Sequence, residues 1–438
     1  MQKALLTDLY ELTMAYSYFK RGMNTPAVFD LFVRPPVPGR RFLVFAGLES
    51  VLDYLENFAF DDEDLAYLEN LGLFDDAFLR FLADLRFSGD VWAMPEGTIV
   101  YPGEPLITVE APRIEAQLVE TYLLNVVNFE TLIASKAARV LRAAGEDKGV
   151  VDFSPRRDHG EDAAMRVARA SYLAGMDGTS NTLAGKRFGI PVVGTMAHAY
   201  VMSFSDELAA FRAFAEDHPR PILLIDTYDV FAGLENAITV ARELEARGRR
   251  LVGVRIDSGD LARLTPEVRR RLDAAGLGYV KILISGDLDE YKIRDFYLRG
   301  GVADSFGVGT RLGTSYDLPA LGGVYKLVED VGGPKIKKSP GKVTLPGKKQ
   351  VFLSKDGLTH VIGLRTEVGL GEPLLAPVME GGRRRLAPAD LARLRQATRA
   401  RIFALPPWMA GIDAEPAPAY PVRLSDRLAE LLRRTLDE

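Results

Sequence analysis

Cysteine is absent from this sequence. That excludes disulfides, thiolate nucleophiles and thiolate metal sites, and it suits a reducing compartment, so a cytoplasmic protein is expected. Histidine is nearly as scarce. Four are present, at positions 159, 198, 218 and 360, and their spacing fits no metal-ligand pattern. No uninterrupted apolar run approaches membrane-spanning length. The opening apolar stretch, MQKALLTDLYELTMAYSYF, carries Asp8 and Glu11, which argues against a signal peptide. No Walker A sequence occurs, and FGVGTRLG has Leu312 where the third glycine of a dinucleotide fingerprint would stand. Positive charge is not in excess either: 55 Lys and Arg against 60 Asp and Glu leave a net charge of −5. Nucleic acid and anionic membrane are therefore not the expected partners, and an anionic ligand would need cations gathered locally.

What is present supports a large buried core. Of the 438 residues, 47% are hydrophobic and 26% charged, a composition of globular chains with two or three domains. Leu5, Leu9, Leu12, Tyr16 and Phe19 recur at helical spacing, so the spacing predicts an amphipathic helix over 5–19. A proline-rich loop, RPPVPGRR, follows, then helical segments to about residue 85. Residues 89–111 alternate β-formers with Pro and Gly turns, and about 113–143 reads as helix. The middle of the chain repeats a short apolar run followed by a helical pattern. The runs are GVVDF at 149, IPVVGTM at 190, ILLID at 222, LVGVRID at 251, VKILISGD at 280 and SFGVGT at 305. Such alternation predicts parallel strands buried on both faces: an α/β fold, an irregular (β/α) barrel, with a doubly wound open sheet as the alternative. After residue 323, GVYKLVED, PKIKKSPGKVTLPGKKQVFL and THVIGLRTEV alternate like antiparallel strands. Their lysines form either a basic patch or, as a plainer reading, solvent-facing and edge positions. A helix is expected again from about 388, with a proline break at LPPW.

Each middle run ends in polar, charged or glycine residues. DFSPRRDHG carries Asp152, Arg156, Arg157 and Asp158, and GTMAH carries Thr195 and His198. LIDTYD carries Asp226 and Asp229, and VRIDSGD carries Arg255, Asp257, Ser258 and Asp260. LISGD brings Ser285, Gly286 and Asp287, and FGVGTRLG brings Gly307, Gly309, Thr310 and Gly313. In a parallel barrel all these ends face one mouth. Glycine-turn amides suit phosphate, and arginines suit phosphate or carboxylate. Several carboxylates beside an anion make sense if Mg²⁺ accompanies the phosphate or if they hold ribose hydroxyls. The set points to a magnesium-bound phosphorylated sugar. Each residue also has a plainer role, because an Asp before Gly or Ser at a strand end often caps the next helix. His198 can be a satisfied rim histidine or, as a neutral imidazole at the mouth, a base or nucleophile toward a phosphoryl group.

The motifs in order, from DFSPRR through GTSNTLAGKRFGIPVVGTMAHAYVMSF, DTYD, GVRIDSGDL, ISGDLD and FGVGT, resemble nicotinate phosphoribosyltransferases. The opening LLTDLYELTMAYSYF is similar to that family's first helix, and KVTLPGKKQV to one of its β-segments. The resemblance implies a type II phosphoribosyltransferase with an irregular α/β barrel beside a second, mainly β domain built from both chain ends. In this chain that means residues 1–115 and 326–438 around a catalytic 116–325. It implies that nicotinate displaces pyrophosphate from 5-phosphoribosyl 1-pyrophosphate, with ATP hydrolysis coupled through a phosphohistidine at His198. It implies a homodimer with a shared site, in which Tyr10 from the partner copy and Phe153 stack the pyridine. Arg255 and Thr195 match positions that hold the carboxylate. Ser180 stands where nicotinamide-using relatives have an Asp that would repel the acid. Arg156, Thr310, Gly286 and Gly309 match phosphoribosyl contacts, and Asp226 and Asp257 match residues near Mg²⁺-pyrophosphate and the ribose. Asp158 and His159 match no family role. Two other readings remain: the same reaction on nicotinamide, which Ser180 disfavours, and a Mg²⁺-dependent barrel lyase or aldolase on a sugar phosphate. The last needs a base in the mouth, and Lys281 starts its strand rather than ending it.

Overall fold

The periodic N-terminal stretch forms a helix, Leu9–Lys20, that begins later than its apolar spacing implies. Asp8 stands at the N-cap position without capping, because its carboxylate accepts from the Thr121 hydroxyl at 3.0 Å instead. The computed structural model describes residues 4–339, 342–385, 387–412 and 420–437. They fall into two units: Met1–Ser135 with Ala320–Asp390 and Asp413–Glu438, and Lys136–Pro319 with Leu391–Ile412.

The first unit carries the β-structure expected at 89–111 and after 323. Its main sheet runs Gly333–Pro334, Gly323–Asp330, Pro26–Val33, Ile107–Pro112, Asp90–Ala93, Ala376–Glu380, Arg383–Arg384. Strands from the end of the chain thus flank strands from its beginning, and the pairings are antiparallel. One lysine of the 335–349 group departs from the solvent-facing expectation. Lys349 is fully buried, 2.9 Å from the buried Asp30 carboxylate, and donates to the carbonyl of Leu345 at 2.8 Å. Burial pulls its ammonium below the ordinary lysine range against the pull of Asp30.

The second unit is a parallel α/β structure. Six strands lie in the order Gly178–Thr179, Gly149–Asp152, Ser305–Val308, Lys281–Ile284, Gly253–Ile256, Ile222–Leu224. Every neighbouring pair is parallel. Val150, Val254, Ile256, Ile282, Ile284, Phe306 and Val308 are all buried, as strands covered on both faces require. The register keeps the C-terminal ends level: Val308 opposes Asp152, Asp152 opposes Thr179, Ile284 opposes Ile256, and Leu224 opposes Arg255. The expected intervening helices form as Glu161–Leu173, Glu207–Asp217, Val230–Ala246, Leu261–Ala274 and Glu290–Leu298.

The run at 190 is a correction. It is no buried strand: residue 192 makes a single bridge to Thr179, and Pro191, Val192 and Gly194 are exposed. Pro191 has no N–H to give a ladder, and its neighbour Gly178–Thr179 is only two residues long. His198 accordingly does not end a core strand but begins a short helix, His198–Met202. Among the described residues no strand pairing closes the sheet into a barrel. Its two edges are nevertheless tied by side chains, since His198, downstream of the 192 bridge, reaches Thr227, just past Ile222–Leu224 at the other edge. Among the described residues no helix is long and apolar enough to cross a membrane.

Candidate active site

The level strand ends collect most of the polar residues singled out from the sequence. Arg255, on the strand Gly253–Ile256, is the hub. Its Nε donates to the Ser285 hydroxyl at 2.9 Å, its Nη1 to the Thr195 hydroxyl at 3.2 Å and the Met196 carbonyl at 3.3 Å, and its Nη2 to Asp257 Oδ1 at 2.6 Å. The guanidinium carbon lies 5.7 Å from the centroid of the Phe153 ring. Ser285 also donates to Asp257. Burial works to raise the Asp257 pKa, but the Ser285 hydrogen bond, Arg255 and the nearby His198 outweigh it and hold the carboxyl below its usual range.

Asp226 joins two loops. Its Oδ2 accepts from the Asp257 backbone amide at 3.0 Å and the Ser258 hydroxyl at 2.6 Å, while its Oδ1 is shut off from solvent with no hydrogen bond among the described residues. Asp229 and Asp260 do something else. Asp229 accepts from Phe231 and Ala232 amides and Asp260 from the Arg263 amide, so both cap the helices that follow them. The capping reading therefore holds for these two and fails for Asp226 and Asp257. His198 is half-buried, with Nδ1 3.1 Å from the Thr227 hydroxyl.

Phe153 owes its place to a missing side chain: a Cβ on Gly307 would overlap its ring. Its backbone amide donates to the Val308 carbonyl at 2.8 Å. Ser180 is held beside the same strand end, its amide donating to the Asp152 carbonyl at 2.9 Å. Asp152 itself is fully buried, accepting from the Ser154 amide and the Thr179 hydroxyl at 2.8 Å each, and burial raises its pKa.

Models of two parts of one family match the chain: the nicotinate phosphoribosyltransferase N-terminal domain over residues 5–128, and the nicotinate phosphoribosyltransferase family over 149–329. The chain belongs to the nicotinate phosphoribosyltransferase family. A nicotinate phosphoribosyltransferase of Mycobacterium tuberculosis is 48% identical, covering 98% of this chain and 93% of its own. One from Bacillus subtilis is 48% identical over 80% of this chain and 72% of its own. The crystal structure of human nicotinic acid phosphoribosyltransferase superposes with a TM-score of 0.85 at 32% identity, covering 98% of this chain and 99% of that one.

The remaining candidates fall on other strand ends and on other elements. Gly286 and Gly309 follow the strands Lys281–Ile284 and Ser305–Val308, and among the described residues neither amide donates a hydrogen bond. Thr310 opens the short helix Thr310–Gly313. Arg156 and Arg157 are exposed, and among the described residues their guanidinium groups make no ion pair. Tyr10 belongs to the first unit, exposed on the helix Leu9–Lys20. Lys281 lies at the far end of its strand, paired with Asp304 at 2.9 Å, so it is no base at this site.

One participant escaped the sequence reading and a second was given no role there. Thr227 sits unremarked between the conspicuous acids of DTYD, and Ser285 was visible only as one more polar strand end; both are defined by partners on other loops. Among the described residues no cluster of three or more His, Asp or Glu forms a metal cage.

Proposed function

We propose that the enzyme transfers the 5-phosphoribosyl group from 5-phosphoribosyl 1-pyrophosphate to nicotinate, releasing pyrophosphate and forming nicotinate mononucleotide, a step of NAD biosynthesis. The observation that carries this reading is the Arg255 hub: an aromatic face, Phe153, with an arginine and a threonine hydroxyl side by side at 3.2 Å. A pyridine stacked on Phe153 can present its carboxylate to Arg255 Nη1 and Thr195 together, a charge-assisted contact that an amide cannot match. Ser180, which carries no charge, leaves room for the acid. Arg156 and the amides of Gly286 and Gly309, unpaired among the described residues, serve the phosphoribosyl side with the Thr310 hydroxyl.

In the reaction the ring nitrogen attacks the anomeric carbon as its bond to the pyrophosphate oxygen breaks, and positive charge develops on the ribose. Asp257, ionised at neutral pH because its pKa is lowered, is the carboxylate we assign to that charge or to the ribose hydroxyls. The residues present fit Mg²⁺: Asp226 has a buried carboxylate oxygen with no hydrogen-bond partner among the described residues, and Mg²⁺ needs only one or two carboxylates when phosphates supply the rest. Asp226, with Asp257 directly or through water, would hold it. The ion would neutralise the departing pyrophosphate.

ATP is the co-substrate in this reading, and His198 its phosphoryl acceptor. A proton on Nδ1, donated to the Thr227 hydroxyl, leaves the Nε2 lone pair as nucleophile. The Nε2–phosphorus bond forms as the bond to ADP breaks, and later hydrolysis returns the imidazole. We further infer that the sheet curls as an irregular barrel, supported by the His198–Thr227 tie between its edges. We also infer that the enzyme acts as a cytoplasmic homodimer in which Tyr10 of a second copy covers the pyridine. The exposure of Tyr10 and its neighbours Leu6 and Leu9 supports the dimer, and the lack of cysteine supports the compartment.

The test supplies nicotinate or nicotinamide with 5-phosphoribosyl 1-pyrophosphate, Mg²⁺ and ATP. Nicotinate mononucleotide is expected; product from nicotinamide alone would overturn the choice of acid. His198→Ala is expected to abolish the acid-labile label from γ-labelled ATP, and a label that persists moves the phosphosite elsewhere.

A further inference from the structure

Within RRDHG, whose Arg156 serves the phosphoribosyl side, Asp158 is unusually placed. The turn that follows Gly149–Asp152 exposes Arg156, Arg157 and His159, yet Asp158 points inward. Its Oδ2 accepts from the Ser154 hydroxyl at 3.0 Å, across a turn closed by the Arg157 amide on the Ser154 carbonyl at 2.6 Å. Its Oδ1 is closed off from solvent and has no hydrogen bond among the described residues. That oxygen lies against Gly313, the last residue of the short helix Thr310–Gly313. A Cβ there would overlap Oδ1 and come within 2.7 Å of the Ser154 Cβ. The turn and the helix meet closely only because residue 313 has no side chain. A buried carboxylate oxygen without a donor is costly, and its retention calls for a reason.

We propose that Asp158 is a positioning residue, locking the 153–159 turn onto the Thr310–Gly313 helix and so setting the spacing between Phe153 and Arg156 on one side and Gly309 and Thr310 on the other. The proposal rests on the phosphoribosyl-transfer reading, because these are the groups assigned there to the two substrates. The charged groups on the elements packed here are Asp152 at the strand end, Arg156, Arg157 and His159 in the turn, and Arg311 on the helix. Arg311 is engaged by Asp287 at 3.2 Å and Asp289 at 2.9 Å, so it does not neutralise Asp158. Burial, with Asp152 adding to it, lifts the Asp158 carboxyl to about 6, against the Ser154 hydrogen bond. Ionisation above that pH sets two carboxylates against each other and loosens the lock.

The experiment compares the whole enzyme with Asp158→Ala, Asp158→Asn and Gly313→Ala. It measures KM for each substrate, kcat, melting temperature, and the pH dependence of KM between pH 5 and 8. Asp158→Ala and Gly313→Ala are expected to raise KM for 5-phosphoribosyl 1-pyrophosphate about tenfold while kcat changes much less. Asp158→Asn, which keeps the shape and cannot ionise, is expected to match the parent KM below pH 6, to stay below it at pH 8, and so to lose the inflection near pH 6. A merely structural residue would lower the melting temperature without splitting KM from kcat. A folded Asp158→Ala enzyme with unchanged KM, or an inflection that survives in Asp158→Asn, overturns the proposal; the second result decides if the alanine variant fails to fold. Turnover by the parent enzyme checks the underlying reading separately.

Discussion

Asp226 and Asp229 stand three residues apart and do different work. Asp229 satisfies two amides at the start of Val230–Ala246, whereas Asp226 spans to the next loop and keeps one buried oxygen unused. Asp229→Ala is therefore expected to cost about 1 kcal/mol of stability and leave the kinetics of folded enzyme nearly intact. Asp226→Asn should keep most of the stability, lower kcat at least tenfold, and raise the Mg²⁺ concentration for half-maximal rate. Thermal melts and Mg²⁺ titrations separate the two. Arg255→Lys keeps the charge but not the fork that reaches Ser285, Thr195 and Asp257 at once. Its expected effect is a loss of roughly tenfold to a hundredfold in kcat/KM for nicotinate. Two acids respond oppositely to pH. Asp257 has a lowered pKa, so its stabilising share is complete above the ordinary carboxylate range and is lost as pH falls through the lower folded value. Asp158 has a raised pKa of about 6, so its share is present at low pH and is lost as pH rises through 6. Asp158→Asn should accordingly raise the melting temperature at pH 7.5 more than at pH 5.

Among the elements, parallel register brings separated motifs to one level. Because Val308 opposes Asp152 and Leu224 opposes Arg255, the loops beyond them meet at one level. The spacing of apolar runs was sufficient to read five of these strands and the helices between them. The run at 190 misled because Ile, Val and Val imply a strand only if a partner is available; the partner is two residues long, and Pro191 cannot donate. The close fit of Phe153 over Gly307 yields a further expectation. Gly307→Ala should displace the ring, raise KM for nicotinate more than KM for 5-phosphoribosyl 1-pyrophosphate, and lower the melting temperature. An unchanged ratio of the two constants would show that the ring does not bind the pyridine.

For the whole molecule, the first unit interleaves both ends of the chain in one antiparallel sheet, and its Asp30–Lys349 pair links Pro26–Val33 to Lys349–Leu353. Removing one partner of a buried pair strands the other. Lys349→Met alone should cost about 3–5 kcal/mol in chemical denaturation, and Asp30→Asn combined with it should cost less than the single change. The alternation of strand and helix, the polar strand ends and the ordered motifs of the family are legible in the residues alone, because apolar spacing and short motifs are local properties. Packing settles which aspartates cap and which bridge neighbouring loops, that His198 starts a helix and meets Thr227, that Lys349 is buried, and that one oxygen of the half-buried Asp158 is shut off from solvent. Those outcomes depend on partners far away in the chain, and a side chain's solvation is set by what packs against it rather than by its neighbours in sequence.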